Sequence, residues 1–237
     1  MRSILIVAAL TVLIGLAPTL RSSAALEGPA ALTSGEAQMA LLYEADPADP
    51  QGKRFVGSVR WRTEMASSSP GQPPELAVRA DVEVPERKLT MIWSLRRNAD
   101  KKLPATHTVE IMFNLPADFP SGGISNVPGI LMKQSDQMRG EPLAGASVKV
   151  LKDYWFIALS NAVPDKERNL QLLNERGWID VPVVYSNNSR AILALEKGQP
   201  GERAFAEAFN AWQLQDRATG DPASTGAPAA LPRNEQL

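Results

Sequence analysis

Apolar and polar side chains alternate along much of the first half of this chain. The alternation is most regular over Glu75–Val84, where every second residue is apolar and most of the residues between are charged. It recurs over three further segments, which are Lys53–Thr63, Lys88–Arg96 and Thr106–Leu115. Successive side chains of a β-strand point to opposite faces of the sheet, so this period indicates one buried and one solvated face. Strands of this kind are typical of antiparallel sheets.

The second half combines shorter strands with two helices. Four shorter strands are predicted, which are Ala146–Leu151, Tyr154–Ser160, Ile179–Tyr185 and Arg190–Glu196, and the last two are predicted to form a hairpin around Asn187-Asn188. One helix is predicted from Pro164 to Arg176, since Pro suits a first helical turn and Gly177 a helix end. A second is predicted over Pro200–Leu214, where an apolar stripe repeats every three or four residues: Phe205, Ala208, Phe209 and Trp212.

These patterns predict a mainly β fold with two short α-helices. Antiparallel strands separated by turns favour either a β-sandwich or an open barrel. The apolar stripe predicts that the C-terminal helix caps the sheet, with its aromatic side chains in the core. A further hydrophobic helix is predicted at the N-terminus.

The periodicity stops between residues 116 and 145. This segment contains four Pro and five Gly, and only Gly129–Lys133 resembles a short strand. Long irregular connections in compact domains are usually functional or mobile. We therefore predict a candidate interaction loop whose backbone amides face an anion or a carbonyl group, with a plain connecting loop as the alternative. Its residues are Gly122, Gly123, Ile124, Ser125 and Asn126.

The first 25 residues are typical of an export segment. Arg2 precedes an uncharged apolar run from Ile4 to Ala17, and Ser23-Ala24-Ala25 offers the small residues of a cleavage site. The alternative is an uncleaved membrane anchor of about 17 residues, at the lower end of the spanning range. Either interpretation predicts that the rest of the chain is exported to the periplasm, soluble after cleavage or tethered to the inner membrane.

The remaining boundaries follow from composition. Residues 26–36 are predicted to be a linker, residues 37–215 a single β-rich globular domain, and residues 216–237 a disordered tail rich in Ala, Pro and Gly. The 237 residues include no Cys, which excludes thiolate metal sites and thiol nucleophiles. An exported chain without disulfides is typical of a bacterial periplasm. The net charge of −1 and the scattered basic residues argue against nucleic acid as a partner.

No catalytic, cofactor-binding or metal-binding residue can be assigned from motifs. His107 is the only histidine, which excludes HExxH and multi-histidine metal sites. Serine-nucleophile motifs and phosphate-binding glycine loops are missing as well. We interpret His107 as a rim histidine satisfied by a neighbour, with catalysis as the alternative. The strand carboxylates Asp81, Glu83 and Glu110 are predicted to pair with arginines across the sheet, with acid–base chemistry as the alternative.

Three segments carry a family resemblance. Leu115–Lys133, Trp178–Pro182 and Arg190–Gly198 resemble an uncharacterised family of exported or single-span alphaproteobacterial proteins. The predicted hairpin of Ile179–Tyr185 and Arg190–Glu196 and the terminal helix are also loosely similar in layout to the invasion-associated-locus-B type of exported β-sandwich, whose members commonly carry cysteines. The resemblance implies export and a β-rich domain, and it implies no activity or site residue.

The sequence leaves three functions open. The first is a non-catalytic cell-envelope module that binds a protein or envelope component, with the candidate interaction loop on its surface. The second is a carrier of a small ligand or lipid. The third is a hydrolase that uses dispersed carboxylates or His107. No cofactor is predicted, and membrane contact is predicted only through the N-terminal segment.

Overall fold

The computed structural model describes residues 36–67 and 73–219. The predicted leader (1–25), nearly all of the predicted linker and the tail from residue 220 lie outside the described residues. Within the described part, strands dominate and two α-helices are present, α1 (Val163–Glu175) and α2 (Gly198–Thr219). Helix α2 therefore continues four residues beyond the predicted domain end at 215.

The described residues form twelve strands, which vary in length from two to eighteen residues. They are β1 (Gln38–Asp46), β2 (Asp49–Ala66), β3 (Glu75–Val84), β4 (Leu89–Arg97), β5 (Ala105–Asn114), β6 (Ile124–Asn126), β7 (Leu131–Lys133), β8 (Glu141–Pro142), β9 (Gly145–Leu151), β10 (Tyr154–Ser160), β11 (Trp178–Tyr185) and β12 (Arg190–Glu196).

These strands make one antiparallel sheet in the order β8-β7-β11-β12-β1-β2-β3-β4-β5-β10-β9, with β6 paired to β11. The sheet is curled into a half-barrel, and both helices belong to the second half of the chain. The prediction of a mainly β, antiparallel fold with two helices is thus confirmed, and the curled sheet corresponds to the open barrel rather than the sandwich.

Strand β1 was not predicted from the alternation. Its centre reads Met-Ala-Leu-Leu-Tyr, and both neighbours Leu41 and Leu42 are buried, at 2% and 1% exposure. The Tyr43 hydroxyl donates to Asp136 Oδ2 at 2.7 Å, which brings the segment after β7 over the second face of this strand. A strand that is covered on both faces does not show the alternation of apolar and polar residues. Strand β1 nevertheless joins the two halves of the sheet, between β12 and β2.

Helix α2 packs against β2, β3 and β4 of the sheet with aromatic side chains. Phe205 packs against both Trp61 and Trp93, with ring centroids 5.7 and 6.0 Å away. The Trp212 indole donates to the carbonyl of Leu76 at 2.8 Å, which fixes the helix to β3. The predicted capping role is confirmed, although Phe209 is only partly buried. Among the described residues, no helix has the length and apolar character that crossing a bilayer requires.

Helix α1 lies beside α2 because a buried lysine fixes it there. Lys197, just before α2, is 1% exposed, and its Nζ donates to the carbonyl of Leu173 in the last turn of α1 at 2.9 Å. The same ammonium lies 4.2 Å from the centre of the Phe205 ring. Burial lowers the pKa of Lys197 to about 8. This arrangement sets the distance between the two helices and leaves a cleft between them.

Candidate functional site

We define the helix groove as the open cleft between α1, α2 and the loop that joins β4 to β5. Its volume is about 1340 Å³, larger than the roughly 300–1,000 Å³ of most small-molecule pockets. His107, Phe209 and Trp212 line it, together with Leu103 from the loop and Leu170 from α1. An apolar floor thus lies under a more polar rim.

The loop from β4 to β5 is shaped by one side chain. Asn98 Nδ2 donates to the carbonyls of Asp100, Leu103 and Ala105 at 3.0, 3.0 and 2.9 Å. Its Oδ1 accepts from the amide of Asp100 at 3.0 Å, and Asp100 Oδ1 accepts from the amide of Lys102 at 2.8 Å. Asn is common in such turns because its amide replaces backbone partners. The loop wall of the groove is therefore held in one conformation.

Arg97 connects this wall to the sheet and to α2. Its guanidinium contacts the Glu75 carboxylate at 2.6 Å and also bonds Asp216 of α2. The hydrogen bond from Glu75 raises the pKa of Arg97. This cation is already paired with two carboxylates, so it holds the groove together and does not offer a free charge to a ligand.

His107 lies on the floor of the groove. It is 7% exposed, and its ring centre is 5.0 Å from that of Trp212 and 6.2 Å from that of Phe209. Its Nδ1 is buried and has no hydrogen-bond partner among the described residues. Burial, assisted by the positive charges of Lys166 and Arg97, lowers the pKa of His107 to about 4. The interpretation as a rim histidine satisfied by a neighbour is therefore wrong, since the ring is in the core and neutral at pH 7.

The upper walls of the groove are rich in carboxamides. Asn161, Asn174, Asn210 and Gln213 all line it. The Thr106 hydroxyl, also at the groove, is a second buried polar atom without a partner within the described ranges. Carboxamides both donate and accept hydrogen bonds, so they match ligands that carry peptide-like or hydroxyl groups.

The strand carboxylates do not enter the groove. Asp81 bonds Arg62 and contacts Arg79 at 3.1 Å, and Glu110 contacts Arg96 at 2.7 Å. The predicted pairing with arginines is confirmed for Asp81 and Glu110, and it is wrong for Glu83, which is exposed and makes no ion pair with any residue that the structure describes. In the part of the chain that the structure describes, no group of three or more His, Asp or Glu side chains is arranged to hold a metal ion.

The candidate interaction loop is located elsewhere. Ile124, Ser125 and Asn126 form β6, which pairs with β11, and Ile124 is 2% exposed. Ser125 Oγ donates to the carbonyl of Val184 at 2.9 Å, while Gly122 and Gly123 have positive φ angles of 76° and 95°. The segment is thus a short strand with one core residue, and only Gly122, Ser125 and Asn126 are exposed.

Motif reasoning missed the groove because its walls come from three distant parts of the chain, near residues 100, 170 and 210. The available signals were the single histidine and the aromatic stripe of α2, and neither indicates a cleft by itself.

Comparisons with protein-family models, curated proteins and solved structures find no significant match. The family resemblance therefore stays a prediction, and a functional hypothesis depends on the geometry of the groove.

Proposed function

We propose that this protein is a non-catalytic module of the bacterial cell envelope, which binds part of a protein or another envelope component in the helix groove. The observation that carries this proposal is the groove itself. It is large and open, its floor is aromatic, and carboxamide side chains line its walls. An apolar centre with a polar rim is the usual anatomy of a binding interface.

The chemistry of the floor argues against hydrolysis. A general base near neutral pH needs a pKa close to 7 and a partner that orients it. The pKa of His107 is lowered to about 4, and no described carboxylate or hydroxyl bonds its ring. Of the other candidates, Asp81 and Glu110 are engaged in cross-strand ion pairs, and Glu83 lies outside the groove.

The shape of the site argues against a small-ligand or lipid carrier. Pockets for such ligands enclose most of the ligand surface and are lined mainly by apolar side chains. The helix groove is an open cleft, and many of its lining groups are charged or carboxamides. It suits a longer ligand that remains partly in solvent.

The envelope location is part of the proposal and is supported by the sequence. The apolar run that begins at Ile4 and the absence of Cys both favour an exported bacterial protein.

Site-specific photo-crosslinking in intact cells that make the full chain tests the binding function. A benzoylphenylalanine at Gln213, which lines the groove, is expected to capture a partner. The matched control is the next residue, Leu214, which is 64% exposed and lies outside the groove. Capture at Gln213 should be lost when Phe209→Ala is added. Equal capture from both positions, or capture that Phe209→Ala leaves unchanged, would contradict binding in the groove.

A further inference from the structure

We propose that two copies of this chain pair through the free edge of the sheet, with their β9 strands antiparallel about a two-fold axis at Ser147. This surface is separate from the helix groove, since no residue of β9 lines the groove. The inference therefore goes beyond the proposed function and does not depend on it. The backbone groups of β9, its side chains and its register with a second copy support the pairing.

The two ends of the sheet differ in how well they are protected. Strand β9 forms one end and pairs only with β10 among the described strands. The other end is β8, which has two residues, one of them Pro142. Short strands and proline are common protections of a sheet edge. Strand β9 has seven residues and no proline, so it is the end that can accept a further strand.

Three residues of β9 direct their backbone groups away from the sheet. The amide of Ser160 donates to the carbonyl of Ala144 at 2.9 Å, which fixes the phase of the ladder between β10 and β9. Because hydrogen-bonded pairs alternate in an antiparallel ladder, Ala146 and Val148 bond to β10. No strand in the described ranges pairs with β9 on its other side. The residues whose N–H and C=O groups face that open side are Gly145, Ser147 and Lys149.

The side chains of β9 leave this edge without an outward charge. Lys149 is the only charged residue of the strand, and its Nζ donates to the carbonyl of Ile124 at 3.2 Å. The same ammonium lies 4.9 Å from the centre of the Trp155 ring, so it is held against its own chain. On the opposite face, Ala146 is exposed and Val148 is 58% exposed. An outward lysine is a usual guard against strand pairing, and β9 lacks one.

The strand is complementary to a second copy of itself. Pairing about Ser147 places Ala146 opposite Val148 of the other copy, so a small apolar side chain meets a larger one. The same register places Lys149 opposite Gly145, which has no side chain, and keeps the two lysines apart. All three open residues then gain a partner, which gives about six backbone hydrogen bonds. A two-fold axis supplies this match without a separate partner sequence.

The contact is small enough to be reversible. Val150 and Leu151, which are 49% and 67% exposed, continue the apolar edge beyond the regular ladder. One strand per copy nevertheless buries less than the roughly 1,200 Å² of a standard interface. We therefore expect a dimer that dissociates on dilution and that depends on its backbone hydrogen bonds.

Disulfide trapping tests the pairing and its register, because the chain has no Cys of its own. Full-length Ala146→Cys and Val148→Cys chains carry different C-terminal tags and are made in the same cells. Oxidation with copper phenanthroline at lysis should link them, since opposite Cα atoms at this position are about 4.5 Å apart, within disulfide range. Either variant alone should give little linked dimer, because identical residues are then diagonal and about 7–8 Å apart.

Three further variants serve as controls. Val163→Cys replaces Val148→Cys in the matched control, because Val163 is 66% exposed but lies on α1. Ser147→Pro in both chains removes the central outward N–H, which β10 does not use, and should reduce the linked dimer by about tenfold. Ser147→Ala removes only the hydroxyl, which donates to the carbonyl of Val127 at 2.6 Å, and should leave the linked dimer unchanged.

Each outcome supports or overturns the pairing. Linkage no greater than with Val163→Cys overturns it, and so does linkage that Ser147→Pro leaves unchanged in a folded chain. Equal linkage with Ala146→Cys alone would show a different register. A disulfide between Val148→Cys and another protein, in place of a second copy, would assign the edge to a foreign strand. The comparison with Val163→Cys remains decisive even if Ser147→Pro does not fold, and crosslinking at Gln213 tests the proposed function separately.

Discussion

The single histidine makes the stability of this protein depend on pH in a way that the structure predicts in sign and size. His107 is buried beside Trp212, and its pKa in the folded state is lowered to about 4 from 6.5. Between these two values the unfolded chain binds a proton that the folded protein does not bind. The free energy of unfolding should therefore fall as the pH decreases from about 6.5 towards 4.

The size of the effect follows from the two pKa values. One pKa unit corresponds to about 1.4 kcal/mol at room temperature. Acidification from pH 7 to pH 5 should therefore cost about 2 kcal/mol through His107 alone, and the loss approaches about 3 kcal/mol near pH 4. That loss is a large share of the free energy of unfolding of a typical domain, which is about 5–15 kcal/mol.

The substitution that isolates this effect is His107→Leu. It replaces the titrating imidazole with an apolar side chain of similar size. Urea unfolding of both proteins at pH 7 and pH 5 gives four free energies of unfolding. The wild-type protein should lose about 2 kcal/mol more than the variant, since carboxylates titrate equally in both. The imidazole can also be followed directly by NMR, because the chain has only one histidine.

Two results would refute the reasoning. An imidazole signal that titrates near pH 6.5 in the folded protein would show that the ring is solvated. Identical losses of stability in wild type and His107→Leu would show that burial of the ring does not control its protonation.

Three further predictions concern the core and the export segment. Phe205→Ala should lower the free energy of unfolding in urea by about 3–5 kcal/mol, because the Phe205 side chain is fully buried. Phe209→Ala should lower it by only about 1–2 kcal/mol, because Phe209 is partly buried. Equal losses in the two variants would contradict this packing. Ile124→Ala should cost about 2–4 kcal/mol because its side chain is in the core, so a neutral variant would restore the interpretation as a surface loop. Residues 1–30 fused to a reporter active only outside the cytoplasm should give activity, and an inactive cytoplasmic fusion would exclude the envelope location.

The one-sided strands were predictable because their signal is local. The bounds of Glu75–Val84, Tyr154–Ser160 and Arg190–Glu196 agree with the sequence pattern residue by residue. In Glu75–Val84 one face lies in the core and most residues of the other face are charged, so its side chains alternate whatever the neighbouring strands are. Tyr154–Ser160 and Arg190–Glu196 are instead short and nearly continuous apolar runs, which also indicate strands. The same holds for the aromatic stripe of the C-terminal helix, whose period is set by the helix itself.

Strand β1 and the segment around Ile124 were not predicted, because their burial depends on contacts with segments that are distant in the sequence. The burial of Leu41 and Leu42 on opposite faces depends on a distant segment that reaches Tyr43. Ile124 is in the core because β6 pairs with β11, about sixty residues later in the chain. Glycine-rich sequence around it indicates a turn, but it does not reveal which strand the turn is placed against.

By itself, the sequence determined the mainly β class, the regular strands and the capping helix, because short-range periodicity reports which side of an element is buried. Only the tertiary structure decided where the groove lies and what surrounds His107. Its walls are brought together by contacts between distant residues, such as Arg97 with Asp216 and Lys197 with Leu173. The protonation of the histidine depends on its burial in this assembled structure, and no local pattern of residues encodes that burial.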